Sequence, residues 1–406
     1  MKSQPFTYEN FLSENCKAIR SSFLREILDT AEMSDIISFA GGLPNPDLFP
    51  VSQIKQALDR VMSEGAKGTL QYAGSQGFLP LREWIAERYY SRFHIKISPE
   101  HILITNGSQQ ALDLTGKLFL DRRDCILMEK PSYIGAIQAF SAYSITMEQV
   151  TLEYDGISLT ELSEKCMLYN PKFLYGITNY QNPSGISYSH EKRISLAEML
   201  MARKLPFIED DPYSEIYFTK TDEMPVSLMV PEQCVLTGSF SKMISPGIRS
   251  GWMIVPDSLR SYLLKAKQAS DLHTNNIVQQ LIYRFLTDND IDEHLGRIRS
   301  HYHHQKETML RLAKSYLPVN TKFTNPNGGM FIWATLPNEF DTSELIRFAL
   351  QQKVIFVPGK TFFLNGEGNH SMRLNFTNSS PDKIEEGMKR LHTAIDLYMN
   401  HKSVKV

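Results

Sequence analysis

The run SFSKMISPGIRSGW, residues 239 to 252, sets an amine among donors suited to a phosphate. Lys242 follows CVLTG, residues 234 to 238, an apolar β-type run that ends in a turn signal, so the lysine stands at the mouth of a strand. Ser239, Ser241 and Arg249 share the same short stretch and offer hydroxyl and guanidinium donors to a dianion. An amine beside a phosphate site suggests a phosphorylated aldehyde held as a Schiff base. Desolvation and neighbouring cations would depress the lysine pKa and make its amine a nucleophile near neutral pH. A solvated lysine after a buried strand is the plainer reading, and this stretch alone leaves both open.

Two further segments bear on the choice. FIEDDPYSEIYF, residues 207 to 218, is an apolar strand running into Glu209, Asp210 and Asp211 before Pro212. Carboxylates at the carboxyl end of a buried strand face a crevice, where Asp210 could pair with a protonated pyridine nitrogen and Tyr213 could donate to a ring phenolate. The alternative is a capping carboxylate, with Asp211 and Pro212 opening a helix. KFLYGITNYQNPSG, residues 172 to 185, repeats the pattern of apolar run and polar turn, and Asn182 is a neutral donor for the same phenolate or simply a turn former.

Taken in order, NPSG, DDPY and SFSK with an arginine seven residues later resemble the fold-type I pyridoxal phosphate enzymes of aminotransferase class I/II. Four upstream stretches extend the resemblance: SDIISFAGGLPNPDLFP, QYAGSQGFLPLREWIAERY, TNGSQQALDL and EKPSYIGAIQAF. They look like the branch that holds 2-aminoadipate and kynurenine aminotransferases and the effector domains of MocR-type regulators. The match runs from about residue 20 to about residue 395, and so many spaced stretches are far more specific than any one motif.

The resemblance implies pyridoxal 5'-phosphate as cofactor and a homodimer with shared active sites. It implies ping-pong transfer of an amino group from an L-amino acid, such as 2-aminoadipate, glutamate or an aromatic or branched residue, to a 2-oxo acid such as 2-oxoglutarate. Lys242 would hold the cofactor and move the proton, Asp210 would keep the ring nitrogen protonated, and Tyr213 and Asn182 would face the phenolate. Gly107, Ser108 and Gln109 match phosphate donors, consistent with a helix N-terminus after a glycine turn, and an N-cap role for Ser108 is compatible with that. Tyr133 would stack on the ring, and Tyr72 would reach the phosphate of the neighbouring subunit. Arg373 would bind the α-carboxylate by a bidentate fork; its strand alternates Met372, Leu374 and Phe376 against Arg373, which turns it to solvent or a crevice. Gly41 and Gly42 resemble a substrate-contacting hinge, and Arg25 matches an arginine that takes side-chain carboxylates. Tyr180 and Phe39 are candidates for an apolar substrate wall or for core. A lyase or decarboxylase on the same scaffold is the alternative, as is a regulatory effector domain, for which only about two dozen residues precede the match.

These residues need elements to hold them. From about residue 51 to 290, strand-like runs (HILIT, DCILM, KFLYGI, PFIED, CVLTG, WMIV) alternate with helical patterns, which argues for a mostly parallel sheet covered by helices. Beyond His301, the strand-like MFIWATL, VIFVP and MRLNF sit among helices and read as a smaller α/β domain. The expected division is an N-terminal arm over 1–50 that joins the small domain, a large domain over 51–295 and a small domain over 296–406. An amphipathic helix is expected around SFLREILDTAEM.

At 406 residues and 42% hydrophobic, the chain can bury two cores. A formal charge of −2 without a basic run leaves no electrostatic footprint for nucleic acid. Cys16, Cys125, Cys166 and Cys234 lie far apart, without metal-ligand spacing, which fits a reducing compartment. No stretch reaches the ~18 apolar residues of a membrane span, so a soluble cytoplasmic protein is the expectation.

Overall fold

A computed structural model describes residues 6–19, 35–220 and 223–404. In chain order its strands are β1 (Ile37–Ser38), β2 (Ile102–Thr105), β3 (Cys125–Lys130), β4 (Thr146–Glu153), β5 (Gly156–Ile157), β6 (Leu174–Gly176) and β7 (Phe207–Asp210). They continue as β8 (Cys234–Ser239), β9 (Gly251–Ile254), β10 (Lys322–Phe323), β11 (Phe331–Thr335), β12 (Val354–Ile355), β13 (Val357–Pro358) and β14 (Ser371–Asn375).

The short apolar runs between residues 102 and 254 form one eight-stranded sheet in the order β2-β9-β8-β7-β6-β3-β4-β5. The five strands from β8 to β4 are mutually parallel, and β9 is antiparallel to both neighbours. Every residue of β2, β6, β7, β8 and β9 is buried, as expected of strands covered on both faces. The register sets Asp210 opposite Thr237 and Glu209 opposite Gly176, so the acidic run and the serine-lysine run leave the sheet side by side.

A second sheet, β10-β11-β14-β13, is antiparallel throughout and aligns Arg373 between Trp333 and Val357. β1 pairs in parallel with β12, Ile37 opposite Val354, which ties the N-terminal segment to the C-terminal part. Phe39 follows β1 and is fully buried, a burial worth about 2 kcal/mol for an aromatic ring. A Cβ at Gly387 would come within 2.4 Å of that ring, so the C-terminal helix Pro381–Val404 needs glycine there. The helix Ile291–Tyr316, capped by the Asp290 carboxylate on the N–H groups of Asp292 and Glu293, runs unbroken through residues 295 and 296. One continuous helix therefore joins the two parts.

Three expectations are corrected or limited here. Thr146–Glu153 forms an eight-residue strand that the apolar-run reading passes over, because it lies near the sheet edge and is only half-buried. No helix follows Asp211: its carboxylate accepts from Asn179 Nδ2 at 3.1 Å, and the chain turns at once, with Ile216 N–H bonded to Tyr213 O at 2.7 Å. The expected helix at SFLREILDTAEM lies outside the described residues. No helix among the described residues is long and apolar enough to cross a membrane.

Candidate active site

Strand alternation sorts the three acids at the end of β7. Glu209 turns away from the crevice and accepts from the N–H of Val226 and Ser227 and from the Thr178 hydroxyl. Asp210 faces the crevice, buried, with its two oxygens taken by Thr237 Oγ1 at 2.7 Å and Tyr175 Oη at 3.0 Å. Burial pushes its pKa up to about 6, against the pull of the two hydroxyls.

Lys242 lies just past β8, where Ser241 N–H bonds back to Ser239 Oγ at 3.1 Å and shapes the turn. Its Nζ donates to Gly42 O at 2.8 Å. Burial, then the charges of Arg373 and Arg249, hold the amine down to about 8 from an ordinary 10.5. Arg249 adopts a left-handed backbone at φ +50°, and its guanidinium lies so close to Gly107 that a Cβ there would meet it at 2.9 Å. Gly107, at φ +77°, is the residue that caps the helix Ser108–Phe119. Ser108 is therefore the first helical residue and not the cap, and its hydroxyl makes no capping bond. Gln109 Nε2 donates to Gly135 O at 3.1 Å, and the turn presents backbone N–H groups and the Ser108 hydroxyl to the cavity.

The opposite wall comes from the second sheet. Arg373 is 2% exposed, which decides between solvent and crevice in favour of the crevice. Its Nη1 donates to Asn182 Oδ1 at 2.8 Å and its Nη2 to Ala40 O at 2.6 Å, while Nε has no partner among the described residues. The guanidinium lies 4.2 Å from the centre of the Phe331 ring and 5.1 Å from that of Phe362, and burial draws its pKa down to about 10. Asn182 Nδ2 reaches Tyr213 Oη at 3.3 Å, so one amide links the arginine to the phenol. Burial raises both cavity phenols, Tyr133 to about 12 and Tyr213 beyond the usual range.

One cavity of about 320 Å³ is lined by Gly42, Ser108, Gln109, Tyr133, Asn182, Asp210, Tyr213, Ser239, Ser241, Lys242, Arg249 and Arg373. Stretches far apart in the sequence thus converge. Gly107 stands behind Arg249, and Gly41 is buried beside Gly42 without lining the cavity. Tyr72 lies outside it, 79% exposed, edge-on to the His273 ring at 5.9 Å. Arg25 lies outside the described residues. Phe39 and Tyr180 are packed in the core and do not form the apolar wall; Tyr180 is wedged against Gly328 and Gly329. That wall is Phe331 and Ile177, with Pro246, none of which the motif reading singles out. The sequence signal for it is the alternation of MFIWATL, which turns Phe331 and Trp333 to one face.

The profile of the class I and II aminotransferases matches residues 34–391. An aromatic-amino-acid aminotransferase of Thermococcus litoralis is 36% identical over 401 residues, 97% of this chain and 96% of its own. A 2-aminoadipate transaminase of Thermus thermophilus is 37% identical over 397 residues, 97% and 98% of the two chains. The solved structure of an α-aminoadipate aminotransferase from Thermus thermophilus, complexed with N-(5'-phosphopyridoxyl)-L-leucine, superposes with a TM-score of 0.91 at 36% identity, covering 97% of this chain and all of that one. The cavity suits such a group: it is of small-molecule size and joins a low-pKa amine, a buried carboxylate, clustered hydroxyl and helix N-terminal donors and a guanidinium N–H without a partner among the described residues. The profile covers most of the chain and the relatives match it nearly end to end; the chain belongs to the class I and II aminotransferases and is a pyridoxal phosphate-dependent aminotransferase of fold type I.

Proposed function

We propose that in this aminotransferase Lys242 moves the proton, Asp210 serves the ring nitrogen and Arg373 takes the α-carboxylate of an L-amino acid or 2-oxo acid. The observation that carries this reading is the meeting, in one cavity, of a buried amine held near 8, a buried carboxylate and a buried guanidinium whose Nε has no partner among the described residues. When bound, pyridoxal phosphate supplies an aldehyde for the substrate amine and a ring that draws electrons from the substrate Cα. Asp210, kept in place by Thr237 and Tyr175, pairs as an anion with the protonated ring nitrogen. Lys242 Nζ, close enough to neutral to act as a base at physiological pH, would take the Cα proton and, as the acid so formed, deliver it to the cofactor carbon that carried the aldehyde. Asn182 and Tyr213 serve the phenolate, and Tyr133 covers the ring face. Ser239, Ser241, Arg249 and the N–H groups at Gly107, Ser108 and Gln109 hold the phosphate.

We infer a homodimer in which Tyr72 serves the partner's phosphate. Its exposure, shared by Leu70 at 62% and Leu272 at 54%, supports a surface that a second copy covers.

Of the lining cations, Arg249 lies among the phosphate donors and Lys242 is the base, which leaves Arg373 for substrate. Phe331 and Ile177 supply apolar surface beyond it, which supports aromatic or branched side chains; a distal carboxylate, as in 2-aminoadipate, would rest on Arg25. The test is the visible absorbance of the protein with L-phenylalanine, L-2-aminoadipate or L-glutamate and no oxo acid. Loss of the yellow band with one equivalent of oxo acid per chain is expected. Arg25→Ala should abolish the response to 2-aminoadipate and spare phenylalanine. A band unchanged by every donor would overturn the substrate assignment and favour the lyase, decarboxylase or regulatory use of the cofactor.

A further inference from the structure

Glu129 is fully buried near the end of β3 and has no part in the chemistry above. It accepts from Tyr188 Oη at 2.8 Å on Oε1, from Gln181 Nε2 at 3.0 Å on Oε2, and from the N–H of Ile177. Gly176 lies next to it across the sheet, where even a Cβ would sit 3.3 Å from Oε1. Gln181 is also fully buried and all four of its amide valences are used. Besides Glu129, its Nε2 donates to Pro131 O at 2.8 Å; its Oε1 accepts from Ser184 N–H at 2.9 Å and Ser184 Oγ at 2.6 Å.

This arrangement has one permitted orientation. Turned over, the amide would set its oxygen against the Glu129 carboxylate and the Pro131 carbonyl, and its NH₂ against the Ser184 N–H. Glu129, the Pro131 carbonyl and the Ser184 N–H together set which way Gln181 points, and Glu129 is the one side-chain acceptor for its NH₂ among the described residues. Pro131 lies two residues before Tyr133, and Gln181 immediately precedes Asn182, so this single amide fastens one cavity wall to the other. Asn182 in turn holds Arg373 Nη1 and Tyr213 Oη.

We propose that Glu129 is a positioning residue for the transfer reaction: through Gln181 it fixes the Asn182 turn against the Tyr133 turn, and with it the aim of Arg373 and Tyr213. The inference rests on the proposed roles of Asn182 and Arg373. A buried acid with merely a structural role would lower stability when changed and leave the kinetics of the folded protein alone.

Glu129→Met removes the acceptor at similar length. Expected are KM values for both amino donor and oxo acid raised about tenfold with kcat within about threefold, since both substrates present a carboxylate to Arg373. The absorbance maximum of the bound cofactor should move as well, because Asn182 and Tyr213 are the residues that would hold its phenolate. Glu129→Gln should restore both readouts: its oxygen can stay towards Gln181 while its NH₂ is accepted by the Tyr188 hydroxyl. If Glu129→Met yields no folded protein, Gln181→Met, which also removes the bonds to Pro131 and Ser184, tests the link as a whole: KM values and a spectrum that stay unchanged there overturn the proposal. A variant that folds, holds one equivalent of cofactor and keeps KM within about twofold and the spectrum unshifted overturns the proposal, whatever its thermal stability. Failure of the substrate reading would instead show in the unmodified protein, as no response to any amino donor.

Discussion

Two cavities of nearly equal size, about 320 and 310 Å³, open at opposite ends of the large sheet. The first, at the carboxyl ends of the parallel strands, gathers Lys242, Asp210, Arg249 and Arg373. The second, at the start of β8 and the end of β9, is walled mostly by apolar side chains such as Ile95, Ile97, Leu228, Leu236 and Val255 beside Cys234, with Lys96, His101 and Glu232 also in its lining. Volume is the same; chemistry is not. Loops and helix N-termini follow the carboxyl ends of parallel strands and deliver donors and charges there. Burial then acts differently on the two sets. At the first end, burial draws the Lys242 pKa down to about 8 and pushes that of Asp210 up to about 6, bringing both closer to physiological pH. At the other, burial pushes the Cys234 thiol far above its usual range and keeps it unreactive.

That contrast breaks most sharply at the amine. Lys242→Ala should keep the cofactor through its phosphate donors yet lose turnover by about 10³- to 10⁴-fold, read as the single-turnover rate of band loss. Near-normal turnover would move the reactive end elsewhere. Arg373→Lys comes next: the charge stays and the planar fork goes, so KM for both substrates should rise about 10- to 100-fold with a smaller change in kcat. Equal KM values would deny Arg373 the carboxylate.

A pH profile sharpens the same comparison. The amine reacts only when unprotonated, and that fraction grows as pH rises through its pKa, here about 8 in place of 10.5. Capture of added pyridoxal phosphate by cofactor-free protein should therefore speed up about tenfold from pH 7 to a plateau, half-maximal near pH 8. A midpoint near that of an ordinary lysine would mean the cavity does not depress it. The smallest effect belongs to the other end: Cys234→Ala should cost about 1 kcal/mol of stability in thermal or denaturant unfolding and leave both KM values unchanged. Altered kinetics there would couple the two cavities.

Much of the first cavity is legible in the chain's apolar runs and the polar turns after them. CVLTG, PFIED and KFLYGI each form a parallel strand of the large sheet, and the polar residues that follow each of them meet at one end. The half-buried strand Thr146–Glu153 is not legible, because its polar residues hide the period of two. Asp211 reads as a helix cap until Asn179, 32 residues away, takes its carboxylate. Phe39 and Tyr180 could pass for a substrate wall in sequence, whereas it is Phe331 that lines the cavity, because β11 lies beside β14 and sets its ring against Arg373.

Residue type, periodicity and turn signals are local properties, and they are enough to say which groups the chain offers and roughly in which element each stands. What those groups become depends on contacts that no local pattern encodes. Arg373 meets Asn182 across 191 positions of chain and Lys242 meets the Gly42 carbonyl across 200. The low dielectric that holds the amine near 8, and the Glu129–Gln181 link that aims the cavity walls, exist only once strands distant in sequence have packed together and excluded water.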